Sequence, residues 1–187
     1  MINAAIFASG EGTNAENIIK HFTNDPRIKI KLVITNRDDA GVVARAEKYK
    51  KNVQIISKEA LNNYTDKIIE FLRTEKIDLI ILAGFLLKIP EAFVKAFPDR
   101  IVNIHPSLLP KYGGKGMYGM HVHKSVIENK ETESGITIHF VNEEYDKGTI
   151  ILQEKCQIDS GDTAELLAQK IRELEHSYFP KAIEKLL

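Results

Sequence analysis

The sequence predicts an α/β fold, a doubly wound and mostly parallel sheet in a single domain over residues 1–187, with a late antiparallel strand pair. Two features indicate it. Through the first half of the chain, apolar runs of strand length alternate with segments of helical periodicity, which is the pattern of repeated βα units. Beyond residue 130, two strand-like segments follow each other with no helical pattern between them, which is typical of an antiparallel pair.

Each predicted strand is an apolar run, and each predicted helix has one apolar face. The strands of the first half are "INAAIFA", "IKIKLVIT", "NVQIIS", "IDLIILAGF" and "RIVNIH", and the late pair is "SGITIHFVN" and "GTIILQEKCQI". The apolar faces of the helices after the first and third strands consist of Ala15, Ile18, Ile19 and Phe22, and of Leu61, Tyr64, Ile68 and Leu72. A last helix is predicted from Asp162 onward. These segments account for one layered sheet.

The composition excludes several classes of protein. The chain has 26 basic and 26 acidic residues, so its net charge does not favour nucleic acid or an anionic membrane. Its one cysteine, Cys156, cannot form an internal disulfide or a cysteine zinc cluster. No leader pattern and no apolar run of membrane-spanning length is present. We therefore expect a cytoplasmic enzyme or binding protein.

The first strand leads into a glycine-flanked turn, "FASGEGTNAEN", and then a helix. Such a turn favours an anion, because the first N–H groups of a helix have no partner within it. Thr13 and Glu16 also fit a helix capping box. The letters G-x-G-x-x-A fit a dinucleotide fingerprint too, but the second strand ends ambiguously in "VITNRDD", and no Gly-Lys-Ser/Thr of a Walker loop follows. The pattern indicates a site for one phosphate. The alternative is a tight, capped βα turn with no ligand.

The end of the fifth strand carries the second group of polar residues, Asn103 and His105 in "VNIHPSLLP". Side chains alternate along a strand, so residues two apart lie on the same face. Ligands bind at the carboxyl ends of strands in open α/β sheets. An amide N–H and an imidazole together suit the stabilisation of negative charge in acyl chemistry.

Asp146, in the turn between the two late strands, is a candidate partner for the imidazole. Taken singly, a strand-end histidine is often only a surface residue, and an aspartate in a turn often only a turn former. No nucleophile is evident, since Ser107 lacks the Gly-x-Ser-x-Gly elbow. His121 and His123 diverge on a helix and lack a third ligand, so we expect no metal.

Four stretches in order resemble one family over essentially the whole chain: "FASGEGTNAENI", "IILAGFLLKIP", "VNIHPSLLPKY" and "GITIHFVNEEYDKGTIILQ". The chain resembles the folate-dependent phosphoribosylglycinamide formyltransferases of purine biosynthesis, of the formyltransferase family. The resemblance implies a Rossmann-like formyltransferase fold. It also implies transfer of the formyl group of 10-formyltetrahydrofolate to the amine of phosphoribosylglycinamide by direct attack, without a covalent enzyme intermediate.

The resemblance further implies roles for single residues. Asn103, His105 and Asp146 match the catalytic trio; Gly12, Thr13 and Asn14 match the turn that holds the substrate phosphate; Glu175 matches a carboxylate on the glycinamide end; and Leu86, Leu87, Lys88, Ile89, Asn103 and Val141 match positions along the folate, together with the rest of the 141–146 turn. We expect Asn103 and a protonated His105 to stabilise the tetrahedral oxyanion, and Asp146 to keep His105 charged. An exposed helix glutamate is the competing interpretation of Glu175.

The sequence departs from the family pattern in three places. Leu87 stands where many members have an arginine, and Asp66 stands near a usual basic position, for which Lys67 is a substitute. The loop over 111–120, in "KYGGKGMYGMHVH", is longer than the common form. We expect it to act as a lid, with hinges at Gly113, Gly114, Gly116 and Gly119.

Three other functions compete with this one. Methionyl-tRNA formyltransferase shares the chemistry but would need an RNA-binding domain and a basic surface. Formyltetrahydrofolate hydrolase would carry an additional N-terminal domain. A non-catalytic nucleotide-binding module would explain the first turn but not Asn103, His105 and Asp146. We therefore expect small-molecule substrates, with no nucleic acid or membrane partner, and leave monomer and homodimer both open.

Overall fold

The structure is a computed structural model that describes residues 1–144 and 146–187. The strands in this part of the chain are β1 Ile2–Phe7, β2 Ile28–Thr35, β3 Asn52–Ile55, β4 Leu79–Leu82, β5 Ile101–His105, β6 Glu133–Phe140 and β7 Ile150–Gln157. The helices are α1 Thr13–His21, α2 Gly41–Lys48, α3 Lys58–Asn63, α4 Thr65–Thr74, α5 Glu91–Ala96, α6 Met120–Glu128 and α7 Ala164–Glu184. All seven predicted strands are present among these described elements.

The chain divides into two compact units, residues 1–103 with Leu187, and residues 104–186. In the first unit the strand order is β3-β2-β1-β4-β5, and every neighbouring pair is parallel. In the second unit the end of β5 is followed in the strand order by β6 and β7, and β6 and β7 pair antiparallel. The doubly wound, mostly parallel α/β fold with a late antiparallel pair is thereby confirmed. One domain over residues 1–187 stays a prediction.

The first unit has a core made by its central strands and the helices between them. Residues 4–7 of β1 are fully buried, and so is most of β4, as expected for strands covered on both faces. Ile18 and Ile19 of α1 are buried too, on the apolar face that the sequence predicts. Phe7 packs edge-to-face on Phe85, with ring centroids 5.3 Å apart. This packing holds the carboxyl end of β1 in place.

The second unit has its own core between β6 and α7. Ile136 and Ile138 of β6 are fully buried, and so are Leu167 and Phe179 of α7. Strand β7 alternates between exposed and half-buried residues, as expected for a strand with one solvated face. Among the described residues, no helix is long and apolar enough to cross a bilayer.

The single helix predicted over Leu61 to Leu72 is wrong in one respect. The chain forms two helices, which meet at Tyr64. Tyr64 has φ −124° and ψ 28°, which is not helical, and its side chain is exposed. The helical period continues across the break because Leu61 and Ile68 are both buried, so periodicity alone does not reveal it.

Replacement of Gly135 by alanine should destabilise the protein. A Cβ at this position of β6 would lie 2.0 Å from the carbonyl oxygen of Glu154 on β7, so the backbone must shift. We expect a loss of about 1–3 kcal/mol or more in the free energy of unfolding, measured by urea denaturation. Gly161→Ala is the control, because nothing lies within 4 Å of its Cβ. Equal midpoints for the two variants would contradict this prediction.

Candidate active site

The turn between β1 and α1 presents a helix N-terminus without a side-chain cap. Helix α1 begins at Thr13, and Gly12 occupies the cap position with φ 74° and ψ 23°, a left-handed conformation that suits glycine. Glu16 donates its backbone N–H to the carbonyl of Gly12 at 2.9 Å. The predicted capping box is therefore wrong, since Thr13 lies inside the helix and no side-chain hydrogen bond caps it in the described structure.

Glu16, the other half of the predicted capping box, is held elsewhere. Its carboxylate is buried and contacts the Arg45 guanidinium of α2. The Tyr49 hydroxyl donates to it at 3.1 Å, and the ammonium groups of Lys20 and Lys48 lie 3.2 and 3.6 Å away. Burial opposes the charge, but these hydrogen bonds, above all that of Arg45, lower the pKa of Glu16 to about 2. Glu16 therefore stays ionised below the turn.

The loops after β1 and β4 are joined by hydrogen bonds. Successive connections run in opposite directions from these two neighbouring strands, which makes a crevice at their carboxyl ends. Ser9 donates its backbone N–H to the carbonyl of Gly84 at 3.0 Å, and its hydroxyl accepts the backbone N–H of Leu86 at 2.9 Å. The predicted phosphate turn and the predicted folate segment therefore share one framework in this unit.

The folate-segment residues differ in exposure. Leu86 and Lys88 are exposed and Leu87 is half-buried, so their side chains reach the surface. Ile89 is buried, so it would meet a ligand only through its backbone. Asp66, at the usual basic position, is exposed on α4. These positions stay predictions as folate contacts.

The two polar residues at the end of β5 lie on the same face of that strand, as expected from their spacing. Asn103 is half-buried and pairs with Leu82 in the register of β4 and β5. His105 is buried, and its Nε2 lies 2.7 Å from the carbonyl oxygen of Tyr112. Because a carbonyl oxygen only accepts, Nε2 must carry the proton. The nitrogen left for chemistry is Nδ1.

Asp146 lies opposite that nitrogen. Its Oδ2 is 3.6 Å from His105 Nδ1, too long for a direct hydrogen bond, and accepts the backbone N–H of Gly114 at 2.8 Å. Its Oδ1 is 3.7 Å from Nε2 of His139, which is buried at the end of β6. The structure thus brings His105 and Asp146 together within the second unit.

His139 is a residue that the sequence interpretation missed. Its Nδ1 lies 2.8 Å from the carbonyl oxygen of Phe140, which orients the ring. The signal was available, because a histidine in the otherwise apolar strand "GITIHF" is unusual at a buried position. The N–H of Gly114 therefore holds one oxygen of Asp146, and the His139 ring lies 3.7 Å from the other.

Burial and charge act against each other on these groups. Burial lowers the pKa of His105 below its ordinary value of 6.5, and the Asp146 carboxylate and the Tyr112 carbonyl only partly offset it. Burial also acts to raise the pKa of Asp146, but the neighbouring His139 imidazole and the N–H of Gly114 outweigh it and bring that pKa below its ordinary value of 3.8. The expected resting state therefore changes: Asp146 is ionised, and burial disfavours the protonated His105 that the sequence interpretation assumed.

The first part of the glycine-rich loop is anchored. Lys111 pairs with Glu131 at 2.9 Å, and the Tyr112 hydroxyl donates to the same carboxylate at 2.9 Å. Ser107 donates its hydroxyl to the Lys111 carbonyl at 2.7 Å. These bonds place the Tyr112 carbonyl on His105. The lid role of the later glycines stays a prediction.

Other predicted site residues lie apart from this pair in the chain. Val141 is half-buried just after β6, and Glu175 is half-buried on α7. Tyr145 of the 141–146 turn lies outside the described residues. On α6, His123 is buried and His121 is exposed, as expected for residues that diverge on a helix. Across residues 1–144 and 146–187, no three histidine, cysteine or acidic residues form a group that could hold a metal ion.

Comparison with known families classifies the chain. The family model described as formyl transferase matches residues 2–183. The chain belongs to the formyl transferase family. The resemblance from the sequence is confirmed by curated relatives and solved structures of phosphoribosylglycinamide formyltransferases at 28–39% identity.

Among the relatives of this chain, the chloroplastic phosphoribosylglycinamide formyltransferase of Arabidopsis thaliana is 39% identical over 186 residues, which are 96% of this chain and 63% of the relative. The chain spans about three fifths of this and a second plant relative. The Haemophilus influenzae phosphoribosylglycinamide formyltransferase is 37% identical, covering 98% of this chain and 86% of its own length.

Solved structures give the same family. Glycinamide ribonucleotide transformylase 1 from Geobacillus kaustophilus superposes with a TM-score of 0.91 at 31% identity, covering all of this chain and 99% of the other. Phosphoribosylglycinamide formyltransferase from Bacillus halodurans has a TM-score of 0.88 at 38% identity, covering 99% and 95% of the two chains.

The pKa of His105 should be below 6.5, and Asp146→Asn should lower it further. The Asp146 carboxylate stabilises the imidazolium, so its removal favours the neutral ring at every pH. NMR titration of the imidazole Cε1–H signal measures both values. Glu144→Gln is the control, because Glu144 is an exposed carboxylate of the same turn, paired with Lys147. A His105 pKa at or above 6.5 in the unmodified protein would contradict this assignment.

Proposed function

We propose that this protein transfers the formyl group of 10-formyltetrahydrofolate to the amine of 5′-phosphoribosylglycinamide, a step of purine biosynthesis. Family membership over nearly the whole chain supports it. Two bacterial phosphoribosylglycinamide formyltransferases also support it, because the chain covers 86% and 93% of their length. The observation that supports the chemistry is that Nδ1 of His105, at the end of β5, lies 3.6 Å from Oδ2 of Asp146.

The reaction needs a site for a transient oxyanion and a path for one proton. The glycinamide amine attacks the formyl carbon, a C–N bond forms, and the carbonyl oxygen gains negative charge. Collapse breaks the bond to the folate nitrogen, which must receive the proton that the amine loses. Asn103 donates its amide N–H to the oxygen, because it lies on the same face of β5 as His105.

His105 moves the proton in this scheme. Its Nε2–H is held by Tyr112, so Nδ1 is a lone-pair base in the resting state. Attack makes the amine acidic, and Nδ1 takes its proton. Asp146 stabilises the imidazolium. Its Nδ1–H first donates a hydrogen bond to the oxyanion, and on collapse that one proton is transferred to the leaving nitrogen. A neutral resting His105 suits this role better than a permanently charged one.

The remaining residues position the two substrates. Gly12, Thr13 and Asn14 bind the ribose phosphate at the uncapped N-terminus of α1. Leu86, Leu87, Lys88 and Ile89 with Asn103 and Val141 line the folate, and Glu175 binds the glycinamide end. No metal takes part in this scheme. We place this reaction in the cytoplasm. The scheme holds equally for a monomer and for a homodimer.

A steady-state assay tests the function. Purified protein is mixed with 10-formyltetrahydrofolate, with and without phosphoribosylglycinamide, and the absorbance of deformylated folate is followed. Turnover that needs both substrates is expected. Equal turnover without the ribonucleotide identifies a hydrolase. Turnover only in a third mixture, with methionyl-tRNA in place of the ribonucleotide, identifies a methionyl-tRNA formyltransferase. Phosphate binding without any turnover identifies a binding module.

Asn103→Ala should lower kcat on the order of 10²–10³-fold while the protein stays folded, because one oxyanion donor is lost. Thermal unfolding measures the fold and the same assay measures kcat. Asn52→Ala on the exposed edge strand β3 is the matched control and should leave kcat unchanged. An Asn103→Ala enzyme with the kcat of the unmodified protein would remove Asn103 from the mechanism.

A further inference from the structure

In the turn between β1 and α1, which we call the phosphate turn, the carbonyl groups of Gly10 and Glu11 both face helix α2. The Gly10 carbonyl accepts the backbone N–H of Val42 at 3.1 Å, and the Glu11 carbonyl accepts Nε of Arg45 at 2.7 Å. In a planar trans peptide the C=O and the next N–H point in opposite directions. The N–H groups of Glu11 and Gly12 therefore point away from α2. Successive N–H groups in such a turn form an anion-binding concavity.

The turn also packs directly on the start of α2. A Cβ on Gly12 would lie 2.5 Å from Cβ of Val42. A Cβ on Gly41 would lie 3.1 Å from the Glu11 carbonyl oxygen and 2.9 Å from its carboxylate. The glycines allow this close approach, and the approach brings the Glu11 carbonyl within reach of α2. The direction of the Gly12 N–H thus depends on a side chain of α2.

That side chain, Arg45, is held at a second point. Its Nη1 contacts the buried Glu16 carboxylate in the first turn of α1, while its Nε donates to Glu11. A guanidinium has donors in a fixed planar fork, so it can serve both acceptors at once, which a lysine ammonium on a flexible stem does poorly. Arg45 therefore fixes the turn relative to both helices.

The negative charge of Glu16 affects how well an anionic ligand can bind at this turn. A carboxylate in the first turn of α1 would repel a phosphate at the same helix end. Here the cations Arg45, Lys20 and Lys48 surround it. Of the three, Arg45 donates a hydrogen bond to the Glu11 carbonyl of the turn, whereas Lys48 lies 3.6 Å from the carboxylate and is exposed. The chain therefore offers a matched pair of cations on one helix.

We propose that Arg45 is a positioning residue for phosphate binding: through the Glu11 carbonyl it orients the Gly12 N–H toward the ligand. This inference rests on the proposed function, because that function assigns a phosphate to the turn. Arg45 does not need to touch the phosphate itself. Its role differs from general charge neutralisation, which Lys48 could supply equally well.

Arg45→Met tests the inference, because it keeps an apolar stem and removes both hydrogen bonds. The KM for phosphoribosylglycinamide should rise about 10- to 100-fold, as expected for loss of hydrogen bonds that involve a charged group. The KM for 10-formyltetrahydrofolate and kcat should stay within about threefold. Lys48→Met is the control and should leave all three constants unchanged. Arg45→Lys should restore only part of the affinity.

A second variant separates positioning from charge. Arg45→Met alone leaves Glu16 buried without its main partner, which can impair folding. The double variant Glu16→Gln/Arg45→Met removes that charge, so it should fold and still show the raised KM. Recovery of the original KM in the double variant would overturn positioning, since only the repulsion by Glu16 would then have weakened binding.

Inorganic phosphate provides a readout without turnover. Phosphate should raise the thermal midpoint of the unmodified protein and of Lys48→Met, and raise it much less in the double variant. If the unmodified protein shows no formyl transfer but these midpoint shifts hold, the proposed function fails and the role of Arg45 stands. If transfer occurs but Arg45→Met keeps the original KM and midpoint shift, the role of Arg45 fails alone. Absence of any phosphate shift in the unmodified protein overturns it as well.

Discussion

The reversal of strand order between β1 and β4 is the constraint on which the first unit depends. The two strands are parallel neighbours, but the connections after them run to opposite sides. Their carboxyl ends therefore share one crevice. Ser9 bonds to the β4 loop through both its N–H and its hydroxyl. These hydrogen bonds tie the phosphate turn to the start of the 86–89 segment.

Buried charge shapes both candidate binding regions, with opposite results. Glu16 has enough donors to remain ionised, so its burial creates a fixed anchor for Arg45. His105 has only one carboxylate nearby and no direct hydrogen bond to it, so burial prevails and its pKa falls. The first arrangement suits a structural support, and the second suits a group that must gain and lose a proton.

Local patterns predicted the fold well and the interactions of single residues less well. Apolar runs located every strand, and the spacing of Asn103 and His105 placed both on one face of β5. The capping box failed because Thr13 and Glu16 have the right letters, while Glu16 finds stronger partners on α2. The helix break at Tyr64 was missed because the buried positions on either side keep the helical period.

By itself, the sequence determined the order of elements, the glycine turn, the positions of Asn103 and His105 at a strand end and that of Asp146 in a turn, since these follow from periodicity and local backbone preference. Tertiary structure decided which groups meet. Arg45 reaches Glu16 across 29 residues of sequence, and His139 and Gly114 approach the Asp146 carboxylate from different segments. The contact of Tyr112 with Nε2 of His105 decided which ring nitrogen faces Asp146 without a proton. Such contacts depend on distances in space and on burial, which change the charge of a side chain without changing its identity.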